Sequence, residues 1–290
     1  MSKLIEIKRR IKSTKNIRQV TRAMEMVASV KFKKINSSLK ISNKYIDPIE
    51  HTLKILSTYK EKDILSRSDQ SILILIAPSK GFVGPLTINI LNTAKMFLDQ
   101  NKGKRFKIVT VGKKASSFAK SMSKEVLGYY PGIPAIASIN DLYELTDLII
   151  DEYVNNRAEN VYICYPKFIN ILSNKVVVEK ILPIEYKEEE YESLHFAKSE
   201  EKDSPSLYTF YQEFEELYES CIKTYILSVI YAKKVEASAS EHASRMMTMR
   251  NATDNASKLN MELQIERNKV RQQSITQEVI EIASASENTI

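Results

Sequence analysis

Hydrophobic residues recur at helical spacing near both ends of the chain and at strand spacing between them. Ile17, Val20, Met24 and Val27 step by three, four and three, and the same steps return at Ile46, Ile49, Leu53 and Leu56. Asp47-Pro48 interrupts this flank, because a proline inside a helix removes a hydrogen bond at a cost of about 3 kcal/mol. The phase survives the interruption, which predicts a kink or a restart capped by Asp47 rather than a change of direction. Toward the other end Met249, Ala256, Leu263 and Val270 recur at intervals of seven, with Ala252 and Leu259 in the companion position. The companion turns polar at Glu266 and Gln273, so this seam weakens toward the tail. "RNATDNA" (250–256) is rich in poor helix formers. The unbroken phase, with no Gly or Pro after Pro205, nevertheless places it inside a helix. Just before it, "VEASASEHAS" (235–244) offers Ala and Ser at most positions, which permits close approach of a neighbouring element.

The middle alternates between the two periods. "SILILIA" (71–77), "FKIVTV" (106–111), "NVYICY" (160–165) and "NKVVVEKILPI" (174–184) read as strands, and the segments 85–99, 113–122 and 139–156 as helices. All six glycines fall between Gly81 and Gly132, so a compact, turn-rich region is enclosed by two uninterrupted flanks. The expected fold is α/β: a long antiparallel coiled coil of the N- and C-terminal helices plus a small central domain with a mostly parallel sheet. The boundaries are 1–58 for the first helix, 70–190 for the Rossmann-like domain, 191–205 for an acidic linker and 206–290 for the second helix. At 1.5 Å per residue the last helix would be roughly 120 Å long, and the first flank is the only other long amphipathic segment able to cover it.

Charge and candidate chemistry narrow the function. The net charge of +7 is concentrated at the start, where residues 1–44 hold thirteen Lys or Arg against Glu6 and Glu25, which suggests an acidic partner. The loop Pro78 to Pro85 is neither a Walker loop nor a dinucleotide fingerprint; Lys80 near a helix start could attract an anion, but a Gly-containing βα turn is the better explanation. His51, His195 and His242 have no metal-ligand spacing and read as surface or helix-face residues. Cys164 and Cys221 read as two half-buried thiols in a reducing compartment. Asn36-Ser37-Ser38 and Asn251-Ala252-Thr253 match a glycosylation pattern that matters only for a secreted chain. The N-terminal "MSKLIEIKRRIKSTKNIRQ" lacks the apolar core of a signal peptide and no window approaches a membrane span, so the expectation is a soluble, intracellular protein.

Two stretches carry a resemblance. "KSTKNIRQVTRAMEMVASVKFKK" (12–34) and "SEHASRMMTMRNATDNASKLNMELQIERNKVRQQSITQEVIEIASA" (240–285) resemble the terminal helices of the gamma subunit of F-type ATP synthases, the central rotor stalk. In that family the first strand is usually followed by Asp-Arg-Gly-Leu-Cys-Gly-Gly; here Ser79-Lys80-Gly81-Phe82-Val83-Gly84-Pro85 stands in its place. The resemblance implies a non-catalytic subunit without a cofactor of its own, present in one copy per complex. Its implied partners are the hexamer of alpha and beta subunits, the epsilon subunit and the membrane c-ring. It implies a peripheral location on the cytoplasmic face of an energy-transducing membrane, the plasma membrane in a bacterium, without direct membrane insertion.

Carried onto this sequence, it marks Met24 and Arg245 as contacts with the lower part of the beta subunits, and Gln272, Thr276 and Glu278 as the upper contact. Pairing residue 24 with about 245 leaves roughly the last twenty residues beyond their partner helix, with Ile275, Val279 and Ile282 to be covered by the ring. Lys31, Lys33 and Lys34, with Arg22 a few turns earlier, form a basic side that would face acidic loops. Asn, Gln, Ser and Thr in "RNATDNA" and "RQQSITQE" would supply a surface that slides, each neutral hydrogen bond being worth only about 0.5–1.5 kcal/mol. Read from its residues alone, the chain leaves open a nucleic-acid-binding coiled coil, on the strength of its basic first helix, and an α/β enzyme with helical arms. The first lacks an aromatic residue before Phe32 for stacking, and the second lacks a nucleotide loop and a base.

Overall fold

A computed structural model describes residues 2–57, 70–122, 124–184 and 214–287. The elements are α1 (Ser2–Ser57), β1 (Gln70–Ile76), α2 (Leu86–Gln100), β2 (Arg105–Val111), α3 (Lys113–Ser121), β3 (Val126–Tyr130), a 3-10 turn (Ile139–Leu142) leading into α4 (Tyr143–Val154), β4 (Asn160–Phe168), β5 (Asn174–Leu182) and α5 (Phe214–Glu287). They divide between two compact units, Met1–Val30 with Arg245–Ile290, and Lys31–Ser244. The acidic linker at 191–205 lies outside the described residues.

In the Lys31–Ser244 unit the strands form one sheet in the order β3-β2-β1-β4-β5, with only the β4–β5 pair antiparallel. The central strand β1 is a continuous apolar run because both of its faces are covered. On one face Leu73, Leu75, Ile108 and Cys164 pack under Leu86, Ile90 and Ala94 of α2 and Ala115 and Ala119 of α3. On the other, Ile72, Ile74, Val109, Val161 and Ile163 pack against Leu145 and Ile149 of α4 and against Ile222, Ile226 and Ile230 of α5. The long C-terminal helix therefore begins as a layer of the α/β sandwich. Further along, Val235, Ala239 and Ala243 of α5 cluster with Phe32 and Ile35 of α1, where the small side chains admit the Phe ring.

In the other unit the two long helices lie antiparallel. Their seam is not the one hydrophobicity alone selects. On α1 it follows Ile7, Thr14, Thr21 and Ala28, spaced by sevens; Ile7, Thr14 and Ala28 are buried and Thr21 half-buried. Ile17, Val20 and Val27, predicted to face the partner helix, are exposed, Val20 to 58%; of the predicted set only Met24 is half-buried. On α5 the seam keeps Met249, Ala256, Leu263 and Val270, but its companions are Thr253, Asn260, Arg267 and Ser274 rather than Ala252 and Leu259, and Leu259 is 47% exposed. Both misreadings are off by one residue, a rotation of about 100° around the helix. The cause is the same in each case: small and short polar side chains sit where the helices come closest, and the larger apolar ones are turned outward.

The register follows from one contact. The Thr253 hydroxyl donates to the Thr21 hydroxyl at 2.8 Å, lies equally close to the Met249 carbonyl, and Thr21 in turn donates to the Arg18 carbonyl at 3.1 Å. Equal rise along both helices then sets Thr14 opposite Asn260 and Met24 opposite position 250, about five residues from Arg245 and not beside it. Thr253 belongs to "RNATDNA", so that stretch is not only helical but supplies a seam residue. Within α1, Pro48 is carried inside one helix with no restart, and Thr52 donates to the Pro48 carbonyl at 3.0 Å. The strand Val126–Tyr130 went unpredicted, being five residues at a sheet edge with Gly128 in its middle.

Candidate functional site

A doubly wound sheet offers a binding crevice where the chain reverses its direction of winding, beyond the carboxyl ends of the strands. Here the helices after β1 and β2 cover one face and the helix after β3 covers the other, so the reversal falls between β1 and β4. That crevice is filled by α5. Ser240 donates to the Pro166 carbonyl at 2.9 Å, Ser244 donates to the Val83 carbonyl at 2.7 Å, and Glu236 accepts the Phe168 N–H at 3.1 Å. Ser240 is fully buried and Ala239 beside it equally so. The neighbouring helix start is closed as well: the Ser79 hydroxyl accepts the Lys113 N–H at 3.3 Å and donates to the Pro131 carbonyl at 3.4 Å. Gly112, at φ +100°, brings its backbone so near the Ala77 carbonyl that a Cβ there would stand 2.0 Å from the oxygen. Lys80 lies on this loop and is exposed.

Next to the filled crevice a polar network ties β4 and β5 to α5. The Tyr165 hydroxyl donates to Glu179 at 3.0 Å and accepts from Lys233 at 3.0 Å, and Lys233 also reaches the second oxygen of Glu179 at 2.6 Å. Burial, aided by Glu236 and Glu179, pushes the Tyr165 hydroxyl well above its ordinary value. Burial is the largest single influence on Glu179 and would raise it, but Lys233, together with Tyr165 and Lys167, outweighs it and holds that carboxylate below the usual range. Glu236 goes the other way: burial dominates over Lys233 and raises it. Lys234 is buried with its ammonium donating to Ser238 at 2.9 Å, and burial lowers its pKa. These groups neutralise one another inside the unit and form internal fastening. Among the described residues no group of His, Cys, Asp and Glu is arranged to hold a metal. His242 is buried on a helix face, not at the surface, and Cys164 is fully buried, not half-buried, its thiol pushed up to about 12 by burial; Cys221 is half-buried.

The residues predicted for coupling fall on the two long helices. Lys31, Lys33 and Lys34 are exposed, as is Arg22. Met24 is half-buried and Arg245 buried. Gln272, Thr276 and Glu278 are exposed, with the Thr276 hydroxyl turned back onto the Gln272 carbonyl at 2.9 Å. From Ile275 to Glu281 every residue of α5 is exposed, including Ile275, Val279 and Ile280. Sequence reasoning missed the outward apolar positions Val20, Val27, Val30, Met261 and Ile265, all more than half exposed. The spacing reads Val20 and Val27 into the seam, and apolar side chains spread along a solvent face are the signal that could have found the rest. No helix among the described residues is long and apolar enough to cross a membrane.

A family model described as ATP synthase matches residues 3–288. The ATP synthase gamma chain of Glaesserella parasuis serovar 5 is 34% identical, the match covering 97% of each chain, and that of Legionella pneumophila strain Corby is 32% identical with the same coverage. Among solved structures, the central stalk and c-ring of the Tetrahymena thermophila mitochondrial ATP synthase contains a chain that matches with a TM-score of 0.63 at 22% identity, over 80% of this chain and 99% of that one. The Euglena gracilis mitochondrial ATP synthase rotor gives 0.60 at 14% identity, over 94% and 99%. The long antiparallel helices, the mostly parallel five-stranded sheet and the match along nearly the whole sequence agree: the chain belongs to the ATP synthase gamma-chain family.

Proposed function

We propose that this chain is the central stalk of a rotary ATP synthase, a non-catalytic subunit that transmits rotation of a membrane c-ring to nucleotide sites on a surrounding hexamer of alpha and beta subunits, with the epsilon subunit as a further partner. The observation that carries this reading is the set of large apolar side chains turned outward along both long helices. A coil that had only to hold itself together would turn Val20, Val27 and Ile265 into its seam; here the seam is closed without them, and they are left for another surface to cover. The exposed end of α5, with Gln272, Thr276 and Glu278 among Ile275, Val279 and Ile280, has the same character. Met24, half-buried, and Arg245, buried, stand on the same two helices, and in this reading they pass a partner's contact inward. The plugged crevice supports a subunit that binds no nucleotide of its own. In this reading the protein sits peripherally on the cytoplasmic face of its membrane, in one copy per complex.

The test is assembly and rotation. Co-expressed with its alpha and beta subunits, the chain should be recovered at one copy per three of each, and a bead fixed to it should turn during ATP hydrolysis. Val20→Asp with Val27→Asp should lower recovery of the complex while the free chain stays folded. A complex that assembles, hydrolyses ATP and turns with the same torque in the doubly substituted protein would overturn the assignment of this face.

A further inference from the structure

Away from the coupling faces, the Lys31–Ser244 unit contains a cavity of about 690 Å³ between α1, α4 and the first part of α5. Ile41 and Ile49 of α1, Ile139 and Ile150 at the start and middle of the α4 segment, and Leu227 of α5 give it an apolar lining, with Tyr143 at its edge. One lining group is out of keeping. Thr146 is 2% exposed and its hydroxyl has no hydrogen-bond partner, neither a side chain nor a carbonyl of its own helix. A buried hydroxyl is almost always satisfied, either internally or by a bound molecule. The cavity volume falls within the range of small-molecule sites, which pair a mostly apolar wall with a few placed polar groups.

We propose that this cavity binds a small, uncharged, largely apolar molecule carrying a single carbonyl or hydroxyl group, which the Thr146 hydroxyl receives. The charge pattern selects against ions. The charged lining residues, Asp147 and Lys223, are exposed, and Lys223 is already paired with Glu219 at 2.9 Å, so no buried charge awaits a counter-ion. The hydroxyl of Thr224 is satisfied by the Ser220 carbonyl at 2.9 Å, which leaves Thr146 as the buried polar contact to be made. Such a molecule would touch both long helices and α4 at once.

Benzophenone is a suitable probe, being neutral and apolar with one carbonyl, and on irradiation it inserts into nearby C–H bonds. Irradiated with the full-length chain, and separately with the assembled complex, it should label Ile139, Ile150 or Leu227 saturably, as mapped by mass spectrometry. Thr146→Val keeps the shape and removes the hydroxyl, and should weaken the concentration dependence about five-fold, the value of one neutral hydrogen bond. Ile150→Trp fills the cavity and should abolish labelling; Ile139→Trp at the exposed rim does the same with less risk to the core. Absent saturable labelling, or labelling indifferent to both Trp variants, overturns the site. Labelling that Thr146→Val leaves unchanged overturns the hydrogen-bonding class assigned to the ligand. Labelling of the free chain that vanishes in the complex gives the cavity to a partner subunit and overturns a small-molecule role.

Discussion

The two halves of α5 are one continuous helix held in opposite ways. From Ile222 to Ala243 it is buried on most sides, with Lys234 to Ser240 forming an unbroken buried run. Beyond Arg250 only Thr253, Ala256 and Leu263 are buried, a single stripe spaced by three and seven, and past Ser274 no described residue is. The first half is a layer of a sandwich and obeys its packing; the second half is one strand of a two-helix coil with three sides free. The difference explains the sequence. Where a helix is enclosed it needs small residues, hence Ala237, Ser238, Ala239 and Ser240; where it is enclosed on one side only, it can carry the polar run of "RNATDNA" and "RQQSITQE" with most of its polar side chains left in water.

The contrast can be broken most sharply by putting the same charge into each half. Ile226→Asp, at a fully buried position, should cost about 4 kcal/mol or more and leave little folded protein, whereas Ile265→Asp, at a position 69% exposed, should stay within about 0.5 kcal/mol in thermal unfolding. Next in size, Ser244→Ala removes the donor to Val83 and should cost about 0.5–1.5 kcal/mol, the Val83 carbonyl keeping only the longer bond from the Leu86 N–H at 3.3 Å. In the coil, Asn260 sits in the seam with its side-chain oxygen buried and without a partner. Asn260→Leu should therefore raise the melting temperature, by about 1 kcal/mol of stability, while loosening the register that a polar seam residue specifies. An unchanged or lower melting temperature would show that this oxygen is satisfied in solution.

Acid sharpens the comparison further, with a smaller effect. Glu236 is raised above the ordinary carboxylate range by burial, so the folded protein holds its proton more tightly than the unfolded chain does. Its contribution to stability is fully present below the unfolded value and is lost as pH rises from there through the raised folded value. Glu236→Gln should flatten that part of the stability–pH curve while keeping the acceptor for the Phe168 N–H. Glu179, held low by Lys233, acts in the opposite sense, its contribution being lost as pH falls, so the Gln variant at 236 should expose a steeper acid limb. The smallest effect belongs to the basic face. Neutralising Arg22, Lys31, Lys33 and Lys34 together should leave the free chain's stability within about 0.5 kcal/mol but weaken complex formation more at low salt than at high salt.

Much of this architecture was legible because each signal was local. β1 reads as a buried strand from seven successive residues, and α2 and α3 from their own spacing. The α5 repeat at Met249, Ala256, Leu263 and Val270 was found because three of the four are large apolar residues. What failed was the inference that the most hydrophobic stripe must face the nearest helix. Thr14, Thr21 and Thr253 occupy the interface because two helices approach closely only over small side chains, and a hydroxyl pair satisfies itself there. The filled crevice was invisible for another reason: Ser240 meets Pro166 and Ser244 meets Val83 across 74 and 161 positions of chain, and no spacing rule spans such distances. Only the richness of "VEASASEHAS" in small residues hinted that something comes close.

The serines of α5 act as a tethered ligand. A free nucleotide competes for a crevice at its solution concentration, whereas an occupant joined through the backbone competes at an effective concentration set by the chain itself and never diffuses away. A sheet of this winding, left open in a nucleotide-rich compartment, would fill and empty as metabolism rose and fell. With its own helix hydrogen-bonded at the carboxyl ends of β1 and β4, this one meets any incoming nucleotide with an occupant that has to be pulled away first.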